Sequence, residues 1–354
     1  MKKILATLLA LTTLTPLSAQ PQPVAMQAGR TQEGVLYFLP KTVLHFHLLV
    51  EHSTYQPGEY ARYAEKYLRR TDIGLEPTTS CRLTDVTMTQ TGVRDTSKCY
   101  AVRLKGGKNE AAEVHLSDDG LLLSVNTSPT QATPRSTFRS APRAAKADIT
   151  QLLPSEVLAA GSTAKKAELT AQFIYELRER RQQLVTGEAD DLPQDEQQLR
   201  LMLSEIDHQH DLLMTLFTGT TLRDTTEHEL TLCPDREVSR QVLFRMSNRL
   251  GLVDADDLTG VPYYISITVP DRVEAQKYPL PDAKKEGGFY VNQPAMTEIT
   301  LQREDQQLTT FRLPLAQFGF VTVRGGQLFK RYPGAQLRLH PATGGVDLLR
   351  ANNE

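Results

Sequence analysis

Tryptophan is absent from the 354 residues, and aromatic side chains together make up only 6% of them. Without indole rings the chain lacks the best material for a dedicated sugar-stacking platform. Charge imbalance is missing too: 40 Lys and Arg stand against 42 Asp and Glu, and the basic residues are scattered. No electrostatic footprint for nucleic acid results, so that class of partner is set aside. Beyond the first twenty residues no segment offers the roughly 18 unbroken apolar residues of a membrane-spanning helix. The short catalytic signatures are lacking as well: no Gly-x-Ser-x-Gly elbow, phosphate loop, dinucleotide fingerprint or His-Glu-x-x-His helix occurs. Enzyme classes announced by short motifs lose weight accordingly, although a triad built from distant residues leaves no such trace. Nothing in the sequence implies a cofactor.

Cysteine is scarce. Cys81, Cys99 and Cys233 make an odd number, in a chain whose start reads as an export signal. Residues 1–19 carry two lysines, an apolar run and a Leu-Ser-Ala ending, the pattern of a secretory signal cut after Ala19. An oxidising compartment then permits a disulfide. Cys81 and Cys99 fall in neighbouring strand-like runs around Gly92, so a local bridge with Cys233 left over is one reading, and three reduced, buried thiols are the other.

What is present is organised around residues 163–218, the one long helix-patterned stretch. Leu199, Met202, Leu203, Ile206, Leu213, Leu216 and Phe217 recur at helical spacing, and Ala167, Ala171, Ile174, Leu177 and Leu184 share a face of the preceding arm. Between the arms Gly187 supplies a left-handed stop, and Asp191, Pro193 and Gln194 read as a capped restart. The pattern predicts an antiparallel helical hairpin with arms on the order of 33 Å long.

Around it the sequence is β-rich. Residues 20–33 are a loose polar arm, and 34–126 alternate as strands, with a short helix over 59–70 and an Asp118-Asp119-Gly120 turn. Residues 127–149, dominated by Ser, Thr, Pro, Ala and Arg, read as a disordered linker. The hairpin unit occupies 150–220, and 221–354 carry nine strand-like runs at the spacing of a sandwich or open barrel. The predicted class is α+β, two β-rich units joined by the helical hairpin. Two pairs of stretches hint at duplication: GVLYFLP at 34–40 with GFYVNQP at 288–294, and VHLSDDGLLLSVN at 114–126 with LRLHPATGGVDLLRAN at 337–352.

The ordered set YFLPKTVLHFHLLVE, YQPGEYARYAEKYL, VTGEADDLP and LAQFGFV resembles a family of exported Bacteroidota proteins known as domain of unknown function 4831. The resemblance spans most of the chain past the signal. It implies export in a Gram-negative cell and brings no catalytic residues with it.

Each candidate site has a plainer role beside its functional one. Tyr60, Tyr63 and Tyr67 form one stripe of the short helix, with Tyr55 just before it; such rings can grip a glycan or peptide, yet more often dock a helix on a sheet. His45 and His47 share one strand face near His52, a start toward a metal site that lacks further ligands at recognisable spacing. Glu205, Asp207 and Asp211 crowd one helix, which suits glycoside chemistry only inside a cleft that raises one carboxyl pKa; His208 and His210 beside them read as solvated. Asp190, Asp191, Asp195 and Glu196 crowd the hairpin tip, where solubilising charge competes with docking of a basic partner. Asp224-Thr225-Thr226 has the form of a bacterial O-glycan acceptor. The leading expectation is a non-enzymatic periplasmic protein docking an envelope partner through its hairpin. A glycan- or peptide-binding module and a hydrolase with an unrecognised site are the alternatives.

Overall fold

A computed structural model describes residues 29–31, 34–102, 113–130, 138–140, 149–189, 195–271, 288–332 and 334–351. The expected signal, most of the loose arm, parts of the linker, and Asp190, Asp191, Pro193 and Gln194 lie outside the described residues.

In chain order the elements begin with β1 (Gly29–Thr31), β2 (Gly34–Gln56), α1 (Ala64–Leu68), β3 (Thr78–Val102), β4 (Val114–Leu116) and β5 (Leu122–Val125). Three helices follow, α2 (Ser155–Ala159), α3 (Thr163–Thr186) and α4 (Glu196–Thr218). Then come β6 (Thr220–Leu232), β7 (Val238–Ser247), β8 (Gly251–Val253), β9 (Val261–Thr268), β10 (Phe289–Arg303) and β11 (Gln306–Arg324). The chain closes with α5 (Gly326–Arg331), β12 (Gln336–Leu339) and β13 (Val346–Arg350). The strands form antiparallel sheets, none closed: β2 with β3 on one side and β1 and then β6 along the other, next β11-β10-β9-β7-β8, and β13-β12-β5-β4.

The 23-residue β2 is the spine. At ~3.3 Å per residue it covers on the order of 75 Å, enough to serve two cores. Leu44, Phe46, Leu48 and Val50 alternate onto one face and share a cluster with Phe244, Tyr263, Ile265, Ile267, Ile299, Leu301 and Leu315 from the five-stranded sheet. Nearer its start, the odd positions Tyr37 and Leu39 enter a second cluster with Leu122, Val125, Phe289, Val291, Leu337 and Leu339. The change of buried parity follows a register shift between Phe38 and Pro40. Proline lacks the N–H a ladder needs, and Pro40 sits where β2 pairs with β3 alone, past β1 and short of β6. A proline inside a strand usually ends it; here the bulge carries β2 through.

The pairing crosses the division drawn from sequence. β2 pairs with β6 from Leu44↔Leu232 to Gln56↔Thr220, and β5 pairs with β12 at Val125↔Leu337. Residues 34–126 and 221–354 therefore contribute to the same sheets. The stretches that looked alike in sequence also share geometry. Pro40 and Pro294 both stand at register shifts, and each shift is matched by extra residues on the partner strand, between Arg94 and Cys99 in β3 and between Leu315 and Phe320 in β11. The Phe38 N–H bonds to the Gly120 carbonyl at 2.9 Å, and the Asn292 N–H to the Gly344 carbonyl at 3.1 Å. Both glycines have positive φ, 77° and 67°, the left-handed conformation that glycine adopts without steric cost.

A third cluster joins the helices to the end of β2. Ala167, Ala171, Ile174 and Leu177 of α3 meet Leu213 and Phe217 of α4, with Tyr60 and Ala64 against them. Ser162 caps α3 by accepting from the Lys165 N–H, Gly187 closes it at φ 77°, and Asp195 caps α4 by accepting from the Gln197 N–H. The restart thus uses Asp195 as its cap.

Candidate functional site

The described tyrosines are largely committed to packing. Tyr60 is 2% exposed, its ring edge-on to Phe217 at 5.5 Å. Tyr55 donates its hydroxyl to the carbonyls of Gly74 and Thr218 at 2.9 and 3.0 Å. Tyr63 and Tyr67 are half-buried with ring centroids 6.2 Å apart. The expected helix is shorter: Tyr60 and Tyr63 stand at a 3-10 turn over Ala61–Tyr63, only Tyr67 lies in α1, and Arg69 ends α1 with a left-handed φ of 55°.

The histidines separate by strand parity. His45 binds Glu229 through Nδ1 at 2.6 Å and Thr91 through Nε2 at 2.7 Å. His47 approaches Glu227 at 3.4 Å and Thr89 at 3.0 Å. His52 lies on the opposite, core-facing side, so the three imidazoles do not converge. Among the described residues no group of three His, Cys, Asp or Glu is placed to hold a metal ion. On the helices, Asp207 is forked by Arg181 at 2.7 and 3.3 Å, which holds its carboxyl below the usual range. His210 contacts Asp211 and Arg178. Asp224, Thr225 and Thr226 lie in β6, paired with His52, Glu51 and Val50.

The bridge weighed between Cys81 and Cys99 is not made. Both belong to the single 25-residue β3, near its opposite ends and on the order of 60 Å apart along extended chain. Gly92 is no turn: it lets β3 run on beneath the Pro341 carbonyl, where a Cβ would collide. All three cysteines are free. Cys81 instead faces His52 across the sheet, Sγ to Nδ1 3.2 Å. His52 Nε2 meets the Thr226 hydroxyl at 3.2 Å, and that hydroxyl meets His228 at 3.1 Å. Burial pushes the Cys81 thiol up, which keeps it a protonated partner of the imidazole, unsuited as a nucleophile.

Two surfaces remain. The first is the outer half of the helix pair. Burial in α4 is complete only near its C-terminus, at Leu213 and Phe217, while Leu199, Met202, Leu203 and Ile206 are half-buried. Leu201 and Val185 stand 69% and 56% exposed beside them. Contacts between the arms pair Arg181 with Asp207 and Arg178 with His210. Asp195 spends its side chain on the helix cap, and Glu196 holds Arg200 at 2.5 Å.

The second is a cleft of about 520 Å³ where β2, β3 and β6 meet the ends of β7, β9 and β10. Its floor is buried, with Cys81, Met246 and Tyr263 each at most 6% exposed. Its rim carries Arg82, Arg223 and Arg303. Glu51 is the carboxylate among the lining residues, 3.3 Å from Arg82. Burial raises the Tyr263 hydroxyl, and the Arg303 guanidinium draws it partly back. Sequence reasoning missed this cleft, for its arginines lie far apart in the chain and only strand pairing gathers them.

Residues 33–347 match the model of a family described as Domain of unknown function (DUF4831). No curated protein and no solved structure matches the chain.

Proposed function

The chain belongs to the DUF4831 family over most of its length, and we propose that it works by binding. In this reading it is an exported, periplasmic, non-enzymatic protein. Two sheets pack face to face as a sandwich, and α3 and α4 stand as an antiparallel hairpin whose outer half docks an envelope protein.

The observation that carries the reading is the contrast along α4, for α3 keeps Leu177 and Leu184 buried into its last turn. The inner half is core, with Ile174, Leu213 and Phe217 fully buried. The outer half leaves an apolar stripe, Leu199 to Ile206, only half-covered, with Leu201 and Val185 in the open. Stripes of this width on a helix pair gain by burial against a further surface. Charge narrows the partner. Between Gly187 and Arg200 the chain places Glu188, Asp190, Asp191, Asp195 and Glu196 against Arg200 alone, so the partner is a protein with an apolar patch rimmed by Lys and Arg.

A photocrosslinking residue at position 201, used in living cells, tests this. The reading expects one discrete protein adduct that disappears when Met202 and Leu203 are changed to Glu. An adduct insensitive to those changes, or none in cells that hold the protein, would overturn it. Position 175, exposed at the middle of α3, is expected to give no such adduct.

A further inference from the structure

The cleft between the sheets has properties that helix docking does not use. Three arginines are among its lining residues, and Glu51 alone there is acidic. Glu51 faces Arg82, and among the described residues no carboxylate pairs with Arg223 or Arg303. Like charges held together without counter-charges repel one another and weigh against the empty fold. An anion reverses the sign of that term.

The residue type is informative too. A guanidinium offers a planar fork of donors that matches the two oxygens of a carboxylate or phosphate, which a lysine ammonium does not. The walls supply the rest: Leu83, Val261 and Met246 are apolar, and Tyr263 adds an aromatic ring braced by Phe244 at 4.6 Å. A volume of about 520 Å³ lies within the ~300–1,000 Å³ range of small-molecule sites. Ser53 and Ser80, cross-strand partners, place hydroxyls beside the arginines.

We propose that this cleft binds a small organic oxyanion, with a phosphate or carboxylate head held by Arg82, Arg223 and Arg303 and a short apolar or aromatic body lying against Met246, Val261 and Tyr263. The head is recognised by forked, charge-assisted hydrogen bonds, and the body by burial. Arg82 is shared with Glu51, so Arg223 and Arg303 contribute most of the attraction. The site is separate from the helix stripe and stands or falls without it.

Calorimetric titration of the full chain with phenyl phosphate, inorganic phosphate, benzoate and benzyl alcohol tests the proposal. Phenyl phosphate is expected to bind more tightly than inorganic phosphate, which lacks the body, and benzyl alcohol, which lacks the charge, is expected not to bind. Benzoate against phenyl phosphate tells a carboxylate site from a phosphate site, and preference for either is consistent with the proposal. R223Q and R303Q are each expected to weaken binding at least tenfold and to remove the rise in melting temperature that the ligand produces. R324Q, in a separate cleft of about 430 Å³, is expected to change neither. All three arginines are exposed, so the variants keep the fold, and unaltered circular dichroism checks this. No heat and no melting shift with either anion at millimolar concentration, or binding unaffected by R223Q and R303Q together, would overturn the assignment.

Discussion

Replacing Gln317 should cost more than any surface polar residue of this chain, and the structure says why. Its side chain takes the place of a missing strand. The Gln317 Oε1 accepts the Thr42 N–H at 3.0 Å, and Nε2 donates to the Thr42 carbonyl at 3.0 Å and to the Pro234 carbonyl at 2.9 Å. Thr42 is 0% exposed, in the stretch of β2 between the partners β1 and β6, so among the described residues no other backbone on that side answers it. In Gln317→Met the volume stays and the three bonds go. The Thr42 N–H is then orphaned, while its carbonyl retains only the Cys233 thiol at 3.8 Å. A buried backbone group left unpaired costs ~1–3 kcal/mol, so two such groups, one partly answered, give a loss of ~2–4 kcal/mol. Against the ~5–15 kcal/mol by which folded domains are stable, that is a large fraction. Urea unfolding followed by circular dichroism measures it as a fall in midpoint at unchanged slope. Gln317→Ala should lose slightly more, through the extra methylenes. A Met variant within ~0.5 kcal/mol of the parent, the range of ordinary surface changes, would refute the reasoning.

Tyr37→Phe repeats the test in the second core: the Tyr37 hydroxyl accepts from the Tyr290 N–H at 2.8 Å and donates to its carbonyl at 3.1 Å, so its removal should cost ~1–3 kcal/mol by the same urea assay. Asp95 supplies a pH test. Burial pushes its carboxyl up, but the Ser97 hydroxyl and N–H together with the Lys41 and Lys98 ammoniums outweigh burial and leave it below the ordinary range. A carboxyl depressed in the folded state stabilises above its unfolded value of ~3.9 and loses that contribution as pH falls through the folded value. Asp95→Asn should therefore be less stable than the parent at pH 7, with the gap closing below about pH 4; a gap that widens in acid would contradict this. Thiol titration should count three reactive cysteines in denaturant and, in the native state, show Cys233 reacting first and the buried Cys81 last; two thiols in denaturant would restore a bridge.

Local features were legible in the sequence wherever one stretch of chain decides them. The two helical arms, the Gly187 stop and the Asp118-Asp119-Gly120 turn depend on spacing and backbone freedom within a few residues, and the structure contains α3, α4 and a positive φ at Gly120. Pro40 and Gly92 are residues whose usual meaning is punctuation. Here one sits at a bulge set by its partner strand some 55 positions on, and the other under a carbonyl about 250 positions away. The same distance hid the candidate cleft. Strand pairing of β2 with β6 and of β9 with β10 brings Arg223 and Arg303 to one rim, and no periodicity within a single strand records which strand lies beside it. Cys81 and His52 were each noticed, as half of a disulfide and as an extra ligand, and only the register places them opposite one another.

Hydrogen exchange along α3 and α4 bears most directly on the claim that one end of this helix pair is core and the other is a docking surface. In the purified chain the amides around Ile174 and Leu213 to Phe217 should exchange slowest, and those from Leu199 to Ile206 markedly faster. Addition of the envelope fraction should slow the second group alone. Equal protection of both halves in the isolated chain, with no change on adding the envelope fraction, would contradict the account.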